Sequence, residues 1–229
     1  MMRGHGPTLP SGAVVVEWRP TADGEAEAAG LLSISEQRRL SSYRVQADRD
    51  RFAVGAGLVR ALAASQLGRA PHEVEIDRTC THCGAAHGPP RVIGTDLRVS
   101  VSHAGRWVAV AATLGKAVGL DIEVADALTD RYEELAAIVL AADERCAPDR
   151  LTIRWTQKEA VLKATGQGLL LALTGLVIDD GPSGARVTRF DDPRWSACSW
   201  SLVELDAPTG VVATLAVIAK APLEVHQRR

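Results

Sequence analysis

The sequence predicts an α+β protein of two pseudo-symmetric lobes, each a small antiparallel sheet packed on a long helix. In residues 52–67 apolar side chains recur at three-to-four-residue steps, which predicts a packed helix that ends at Gly68. The later stretch RWTQKEAVLKAT also predicts a helix, and both stretches have an early aromatic, a basic residue further along and a closing glycine. This likeness predicts two related halves, divided near Lys116 into residues 1–116 and 117–229.

The other elements are predicted from residue type and spacing. Residues 13–17 are rich in valine and predict a buried strand, which Pro20 ends. The pattern is helical throughout residues 35–67. Residues 97–113 predict two short strands broken at residues 102–105, which indicates a hairpin. The second half repeats the pattern with a strand, a helical region and two further strands, at residues 117–124, 130–143, 200–205 and 211–218.

Composition excludes several classes of protein. Hydrophobic residues make up 46% of the 229 residues, which is enough for a globular core, and the formal net charge of -2 gives no field that would attract a polyanion. No run reaches the roughly 18 apolar residues of a membrane helix. The four cysteines are too few and too scattered for a disulfide framework. We expect a cytoplasmic, monomeric enzyme with reduced cysteines and without a nucleic-acid or membrane partner.

The most informative strand is GLDIEV. Residues two apart share one face of a strand, so Asp121 and Glu123 project together while Leu120, Ile122 and Val124 pack behind them. Two adjacent carboxylates repel one another, and a hard divalent cation relieves that repulsion. An edge strand with a solvated acidic face explains the same pattern. The strand by itself therefore leaves a metal site and a plain surface strand open.

A second acidic residue lies in the helix WTQKEAVLKATG. Trp155, Glu159 and Lys163 are spaced four residues apart and share one stripe, which Lys158 flanks. A surface helix with a favourable Glu–Lys pair, worth about 0.3–0.5 kcal/mol, accounts for Glu159 and Lys163. It does not account for Lys158.

These two segments together resemble a known family. GLDIE followed by WTQKEAVLKATGQGL is similar to the paired motifs of the Sfp-type 4'-phosphopantetheinyl transferases, and the resemblance extends to RDRFAVGAGLVRAL, CTHCGAAHGPP and VSVSHAGRWVAVAAT. It covers most of residues 31–169. The resemblance implies Mg2+-dependent transfer of phosphopantetheine from coenzyme A to a serine of an acyl or peptidyl carrier protein, with release of 3',5'-ADP. Whether the carrier serves polyketide, nonribosomal peptide or fatty-acid assembly stays open.

The resemblance also implies roles for the acidic strand and the helix. Asp121, Glu123 and Glu159 correspond to the metal ligands of the family, which hold Mg2+ against the diphosphate of coenzyme A. Magnesium prefers oxygen ligands and commonly bridges carboxylates to phosphate oxygens. Lys158 and Lys163 would pair with phosphate oxygens and offset the charge that develops on the leaving group. Glu159 and Lys163 are thus expected to take part in catalysis.

Three more residues receive roles from the resemblance alone. Arg51 matches an arginine that reaches the nucleotide 3'-phosphate, and His103 matches a histidine that binds a coenzyme A phosphate, so the first lobe would hold the nucleotide. Glu144 matches a glutamate proposed to deprotonate the carrier serine, although a metal-bound water can serve instead. A hydrolase pair is excluded, because Ser102 and His103 are strand neighbours that point to opposite faces.

The segment CTHCGAAHGPP has two interpretations. Cys80 and Cys83 have the spacing of a zinc site, with His82 and His87 nearby, but a fourth ligand is missing and His82 between the cysteines is awkwardly placed. The resemblance instead implies a loop near the nucleotide. Pro89 stands where the family commonly has lysine, so a phosphate or backbone contact from that lysine is not carried over to this sequence.

Two other functions use the same residues. A metal-dependent phosphodiesterase or nuclease would use the carboxylates with water as nucleophile and would need no carrier. A silent binding protein would keep the fold and bind coenzyme A or a carrier without turnover. The presence of all three carboxylates and of Lys163 argues against the silent protein.

Overall fold

A computed structural model describes the protein in residues 9, 12–22, 24–28, 30–182, 184–220 and 222–229. Contacts divide the chain into two compact units. Unit 1 comprises Met1–Gly115 with Glu224–Arg229, and unit 2 comprises Lys116–Leu223. Both units combine helices with small sheets, so the predicted α+β class is confirmed.

The described residues form the following regular elements. The helices are α1 (Gly24–Ala28), α2 (Ile34–Ser42), α3 (Gln46–Leu67), α4 (Tyr132–Val139) and α5 (Leu151–Ala164). The strands are β1 (Val14–Pro20), β2 (Ile76–Asp77), β3 (Arg91–Val92), β4 (Leu97–Ala104), β5 (Trp107–Leu114), β6 (Val118–Val124), β7 (Leu176–Gly181), β8 (Gly184–Phe190), β9 (Trp200–Glu204), β10 (Val211–Ile218) and β11 (Val225–Arg228). Within the described ranges, none of the helices is both long enough and apolar enough to cross a bilayer.

Unit 1 is a four-stranded sheet covered by α3. The strand order is β11-β1-β5-β4, with β1 antiparallel to β5 and parallel to β11. Leu58, Val59 and Leu62 of α3 pack with Val108 and Val110 of β5 in a buried apolar cluster. A long helix on one face of the sheet thus encloses the core of this unit.

The helical stretch at residues 35–67 is two helices rather than one. The capping box of Ser33 and Glu36 begins α2, and Tyr43 ends it with an extended backbone, at φ -74° and ψ 133°. Val45, also extended, precedes α3, which ends at Gly68 in the left-handed conformation. The break comprises Tyr43, Arg44 and Val45, of which tyrosine and valine favour a helix less than leucine or alanine.

The predicted hairpin is present, but its turn lies further along the chain. Ser102 and His103 remain within β4 and pair with Ala109 and Val108 of β5. The prediction of a break at residues 102–105 was therefore wrong by about two residues. The reversal occurs at Gly105, whose φ of 53° suits glycine better than any other residue.

Unit 2 has its own sheet and helix. Its three-stranded antiparallel sheet has the order β6-β10-β9, and β7 and β8 form a separate hairpin. Val161 and Leu162 of α5 lie in a buried cluster with Leu176 of β7 and Ala216 of β10. The helix begins at Leu151, three residues before the stretch RWTQKEAVLKAT from which it was predicted.

The last strand pairs with unit 1, although the sequence-based division gave residues 117–229 to the second lobe. Val14 of β1 is in register with Val225 of β11, and Glu17 is in register with Arg228. The segment VHQR shows little apolar alternation, so its sequence carries a weak strand signal. Pairing with the backbone of β1 places this strand, and Gln227 and Arg228 add side-chain contacts to Trp18 and Glu17.

An unusually close approach of α5 to β6 occurs at Gly119. A Cβ atom built on Gly119 would lie 1.9 Å from the carbonyl oxygen of Ala160 and 2.5 Å from the nitrogen of Ala164. Both neighbours are backbone atoms, which cannot rotate away. Only glycine therefore lets the helix backbone rest directly on the strand.

We expect Gly119→Ala to destabilise the protein by about 1–3 kcal/mol or more, because α5 must shift away from β6. Gly30→Ala is the matched control, since a Cβ there meets no atom within 4 Å. Denaturant unfolding of the two variants measures the difference. Equal stability of Gly119→Ala and the parent protein would contradict the packing described here.

Candidate active site

The acidic strand lies at the edge of the sheet of unit 2, yet its first carboxylate is buried. Asp121 pairs in register with Thr214 of β10, and Glu123 with Val212. Asp121 is 5% exposed and Glu123 is half-buried. A solvated acidic face, the plain alternative for this strand, does not describe a buried Asp121. Two carboxylates two residues apart instead share a face that is largely withdrawn from water.

Helix α5 adds a third carboxylate and a cation to this face. Lys163 donates from Nζ to Asp121 Oδ1 at 2.6 Å and to the carbonyl oxygen of Leu120 at 3.2 Å. Glu159, one turn earlier, is 6% exposed. Its Oε1 atom is buried and has no hydrogen-bond partner within the described residues. A buried carboxylate oxygen without a donor is costly unless a ligand satisfies it.

The pKa values show how closely these carboxylates interact. Burial raises the pKa of Glu159 to about 7, and repulsion from Asp121 and Glu123 adds to the rise while Lys163 opposes it. Burial, followed by repulsion from Asp121, also raises the pKa of Glu123. Three carboxylates and one ammonium leave an excess of buried negative charge, which favours binding of a cation.

The chemistry of this donor set fits a hard cation such as Mg2+, because every ligand would be a carboxylate oxygen. The three side chains are not, however, drawn together into a finished metal cage. Among the described residues, the group of three potential ligands whose atoms all lie within 4.8 Å of one another is Cys80, Cys83 and His87. Lys163, paired with Asp121, occupies part of the acidic site.

Lys158 lies in a different environment from Lys163. Its side chain is 0% exposed, and Nζ donates to the carbonyl oxygens of Val139 at 2.7 Å and Leu173 at 3.1 Å and to Glu144 Oε2. These three acceptors use all three ammonium hydrogens. Burial lowers the pKa of Lys158, and the pair with Glu144 opposes this effect. The geometry does not agree with the expected contact of Lys158 to a phosphate, since no hydrogen remains for one.

Glu144 is the acceptor at the centre of the same buried cluster. Besides Lys158, it accepts hydrogen bonds from the backbone nitrogens of Ala141 at 3.1 Å and Ile178 at 3.2 Å. Arg154 Nε lies 3.6 Å from Glu144 Oε1. Glu144 is 4% exposed and both of its carboxylate oxygens already accept hydrogen bonds, so the geometry also disagrees with its expected role as proton acceptor. Glu144 also lines a cavity of about 510 Å³ beside α4.

The spacing of two cations on α5 is a signal for this cluster that the sequence-based interpretation did not use. Arg154 and Lys158 are four residues apart and therefore share one face of α5. Arg154 is 4% exposed and donates to the carbonyl oxygen of Ile178 and, at 3.1 Å, to Asp180 Oδ2. Two cations on one helix face usually indicate a solvated surface. Here they indicate a buried ionic cluster, because Glu144 lies opposite them.

Arg51 and His103 lie in unit 1. Arg51 on α3 donates to Asp48 Oδ1 at 2.9 Å and to the carbonyl oxygen of Gly105 at 3.4 Å, in the turn that follows His103. His103 is exposed and Ser102 is buried, so the two side chains occupy opposite faces of β4, as the alternation predicts. The structure therefore brings Arg51 next to the end of the strand that carries His103.

The segment that replaces the family's lysine with proline is a loop of unit 1. Pro89 is exposed, and the neighbouring Arg91 is paired with Asp77 and donates to the carbonyl oxygen of Thr79 at 3.2 Å. Although Arg91 lies near Pro89 in sequence, its guanidinium is held by these contacts within the loop.

Comparisons with known proteins match both units. Residues 117–216 match a family model described as the 4'-phosphopantetheinyl transferase superfamily, and residues 16–115 match one described as 4'-phosphopantetheinyl transferase, N-terminal. The chain is 29% identical over 204 residues to the 4'-phosphopantetheinyl transferase HetI of Nostoc sp., covering 83% of this chain and 80% of that protein. It is 28% identical over 216 residues to a phosphopantetheinyl transferase of Thraustochytrium sp., covering 84% of this chain and 73% of that protein.

A solved structure, the holo-[acyl-carrier-protein] synthase of Neisseria meningitidis, is similar over a smaller part of the chain. The match has 20% identity and a TM-score of 0.37, and it covers 45% of this chain and 98% of that one. Less than half of this chain is thus aligned with the smaller protein.

We expect Lys158→Met to destabilise the protein by about 3–5 kcal/mol, because it leaves Glu144 buried without its closest cation. The double variant Lys158→Met/Glu144→Gln should recover part of that loss. Arg131→Met is the control, since it breaks an exposed pair with Glu134 and should leave the melting temperature nearly unchanged. Additive losses in the double variant would show that Lys158 and Glu144 do not act as a pair.

We expect Glu159→Gln to stabilise the metal-free protein at alkaline pH. The folded-state pKa of Glu159, about 7, lies above the unfolded value near 4.5, so the parent loses stability as the pH rises between those values. At pH 8 with EDTA the variant should be more stable by up to about 3 kcal/mol, and the difference should vanish near pH 4.

Denaturant unfolding at several pH values measures this effect. Glu133→Gln, on the exposed surface of α4, serves as the control and should follow the parent at every pH. Parallel profiles for Glu159→Gln and the parent would mean that Glu159 titrates normally.

Proposed function

The chain belongs to the 4'-phosphopantetheinyl transferase superfamily, and on that premise we propose that it transfers 4'-phosphopantetheine from coenzyme A to a serine of an acyl or peptidyl carrier protein. Holo carrier and 3',5'-ADP are the products. The observation that carries the proposal is the acidic face formed by buried Asp121 and Glu159 and half-buried Glu123, with Lys163 paired to Asp121. We further propose that the enzyme works as a cytoplasmic monomer of the Sfp type.

The carboxylates are the proposed ligands of Mg2+. The buried, unpartnered Oε1 of Glu159 and the raised pKa values of Glu159 and Glu123 support this assignment, since a cation would relieve both features. Asp121 would complete the set when Lys163 releases it. Bound Mg2+ supplies positive charge that neutralises the diphosphate of coenzyme A.

Lys163 is the proposed cation for the phosphate oxygens. Its side chain is 27% exposed, and it forms an ion pair with Asp121. Its ammonium would turn to a phosphate oxygen and offset the charge on the departing 3',5'-ADP. Lys158 is fully buried and saturated, so we assign it to holding Glu144 and α4 in place. Glu144 would then have a structural role, and another base would accept the proton of the carrier serine.

Unit 1 contributes the proposed contacts to the nucleotide. His103 is exposed on β4, and Arg51 lies against the following turn at Gly105. Histidine and arginine are suitable donors to phosphate, with arginine able to bind two oxygens at once. We propose that Arg51 contacts the 3'-phosphate and that His103 contacts a second phosphate group of coenzyme A.

A decisive test is the mass of an apo carrier after incubation with the enzyme, coenzyme A and Mg2+. We expect the carrier to gain one phosphopantetheine unit on a serine, and EDTA should abolish the gain. Asp121→Asn, Glu159→Gln and Lys163→Met should each lower kcat/KM by at least about 100-fold, the usual cost of losing a charge-stabilising group. Asp179→Asn, an exposed carboxylate on β7, should retain full activity.

The same assay separates transfer from hydrolysis. A phosphodiesterase would release 3',5'-ADP from coenzyme A at the same rate with and without the carrier. We expect release only when the carrier is present and in equal amount to the modified serine. Carrier-independent release would replace the transferase proposal with the hydrolase alternative.

A further inference from the structure

None of the residues assigned above to phosphopantetheine transfer lies in the loop between β2 and β3 in unit 1. Backbone hydrogen bonds fold this loop back on itself: the nitrogen of Cys80 donates to Ala85 O at 2.8 Å, and that of Gly84 donates to Cys80 O at 2.9 Å. Gly84 has a φ of 73°, which suits glycine. The nitrogen of Gly88 donates to Arg78 O at 2.7 Å and closes the loop at its base.

This turn brings three potential metal ligands together. The two sulfurs of Cys80 and Cys83 and a ring nitrogen of His87 all lie within 4.8 Å of one another. Cys83 Sγ is 2.9 Å from His87 Nε2. The loop thus presents two thiols and an imidazole to one small volume.

The kind of donor indicates which metal would bind. Two sulfurs and one imidazole nitrogen are ligands that Zn2+ prefers, whereas Mg2+ takes oxygen ligands. Cys83 and His87 are exposed and Cys80 is half-buried, so the metal position is open to solvent. Zinc accepts three protein ligands and a water in a tetrahedral arrangement. The missing fourth protein ligand is therefore compatible with this metal.

We propose that the loop binds one Zn2+ through Cys80, Cys83 and His87, with a water as the fourth ligand. His82 lies between the cysteines in sequence but outside the group of converging atoms. The ion would stabilise the closed turn of the loop. The carbonyl oxygen of Ala86 accepts a hydrogen bond from Arg39 at 2.7 Å, so ordering the turn would also fix this contact with α2.

A cobalt titration of the reduced, metal-free full chain tests this proposal. Co2+ replaces Zn2+ at sites of this kind, and thiolate ligation gives an intense charge-transfer band in the near ultraviolet. The titration is carried out in excess Mg2+, which occupies the carboxylate sites. Cobalt bound to carboxylates gives no such band. We expect the band to saturate at one Co2+ per chain and to disappear when Zn2+ is added. This readout is independent of transferase activity.

Variants identify the ligands. Cys83→Ser and His87→Gln should weaken binding of Co2+ by at least about 100-fold, because loss of a direct ligand exceeds the effect of losing an outer partner. His82→Gln, in the same turn, and Cys198→Ser, in unit 2, are the controls and should bind within about threefold of the parent. Circular dichroism establishes that each variant is folded.

Three results would overturn the proposal. The first is absence of a charge-transfer band in the reduced protein. The second is a band that persists in Cys83→Ser and His87→Gln, or that is lost equally in His82→Gln. The third is a disulfide between Cys80 and Cys83 that forms even when Zn2+ is present. It would appear as a loss of two free thiols after the protein has been reduced and the reductant removed.

Discussion

The direct contact between the backbones of α5 and β6 is the constraint on which the candidate active site depends. At Gly119 the strand has no side chain, and the helix occupies the space that a Cβ would need. This approach places Lys163 Nζ 2.6 Å from Asp121 Oδ1, and Glu159 lies one helical turn before Lys163. The glycine of the acidic motif therefore acts through packing. It contributes no functional group, yet it sets the distance at which the charged groups interact.

The two lysines of α5 show how burial separates residues that the sequence makes look alike. Lys158 and Lys163 are five residues apart, so they project from different sides of the helix. Lys158 is surrounded by Glu144 and two carbonyl oxygens, and a ligand could reach it only by breaking that cluster. Lys163 pairs with Asp121 on the acidic face and is partly exposed. Availability, and not residue type, distinguishes a cation that can bind phosphate from one that holds the fold together.

Sequence patterns located the strand carrying Asp121 and Glu123 and the helix carrying Glu159, but they did not predict how deeply both are buried. The helix has buried residues on all of its sides, including the charged Arg154, Lys158 and Glu159. Strand β11 was not located, since VHQR obtains its position from β1. The role of Lys158 was not predicted either, because its three acceptors lie 14 to 19 residues away in the chain and only the fold brings them together. Local patterns specify elements, whereas burial depends on what each element packs against.

The two units contain donor sets of opposite chemical character, and this difference bears on how metals would be sorted. Unit 2 offers only carboxylate oxygens on its acidic face, and unit 1 offers two sulfurs and an imidazole in the Cys80–His87 loop. Hard cations bind the first kind of donor and borderline cations the second. Each set of donor atoms favours one kind of cation over the other. Neither proposed site therefore needs a rigid arrangement of ligands to select its metal. The incomplete convergence of the carboxylates and the open fourth position at the cysteines are both consistent with selection by chemistry instead of by shape.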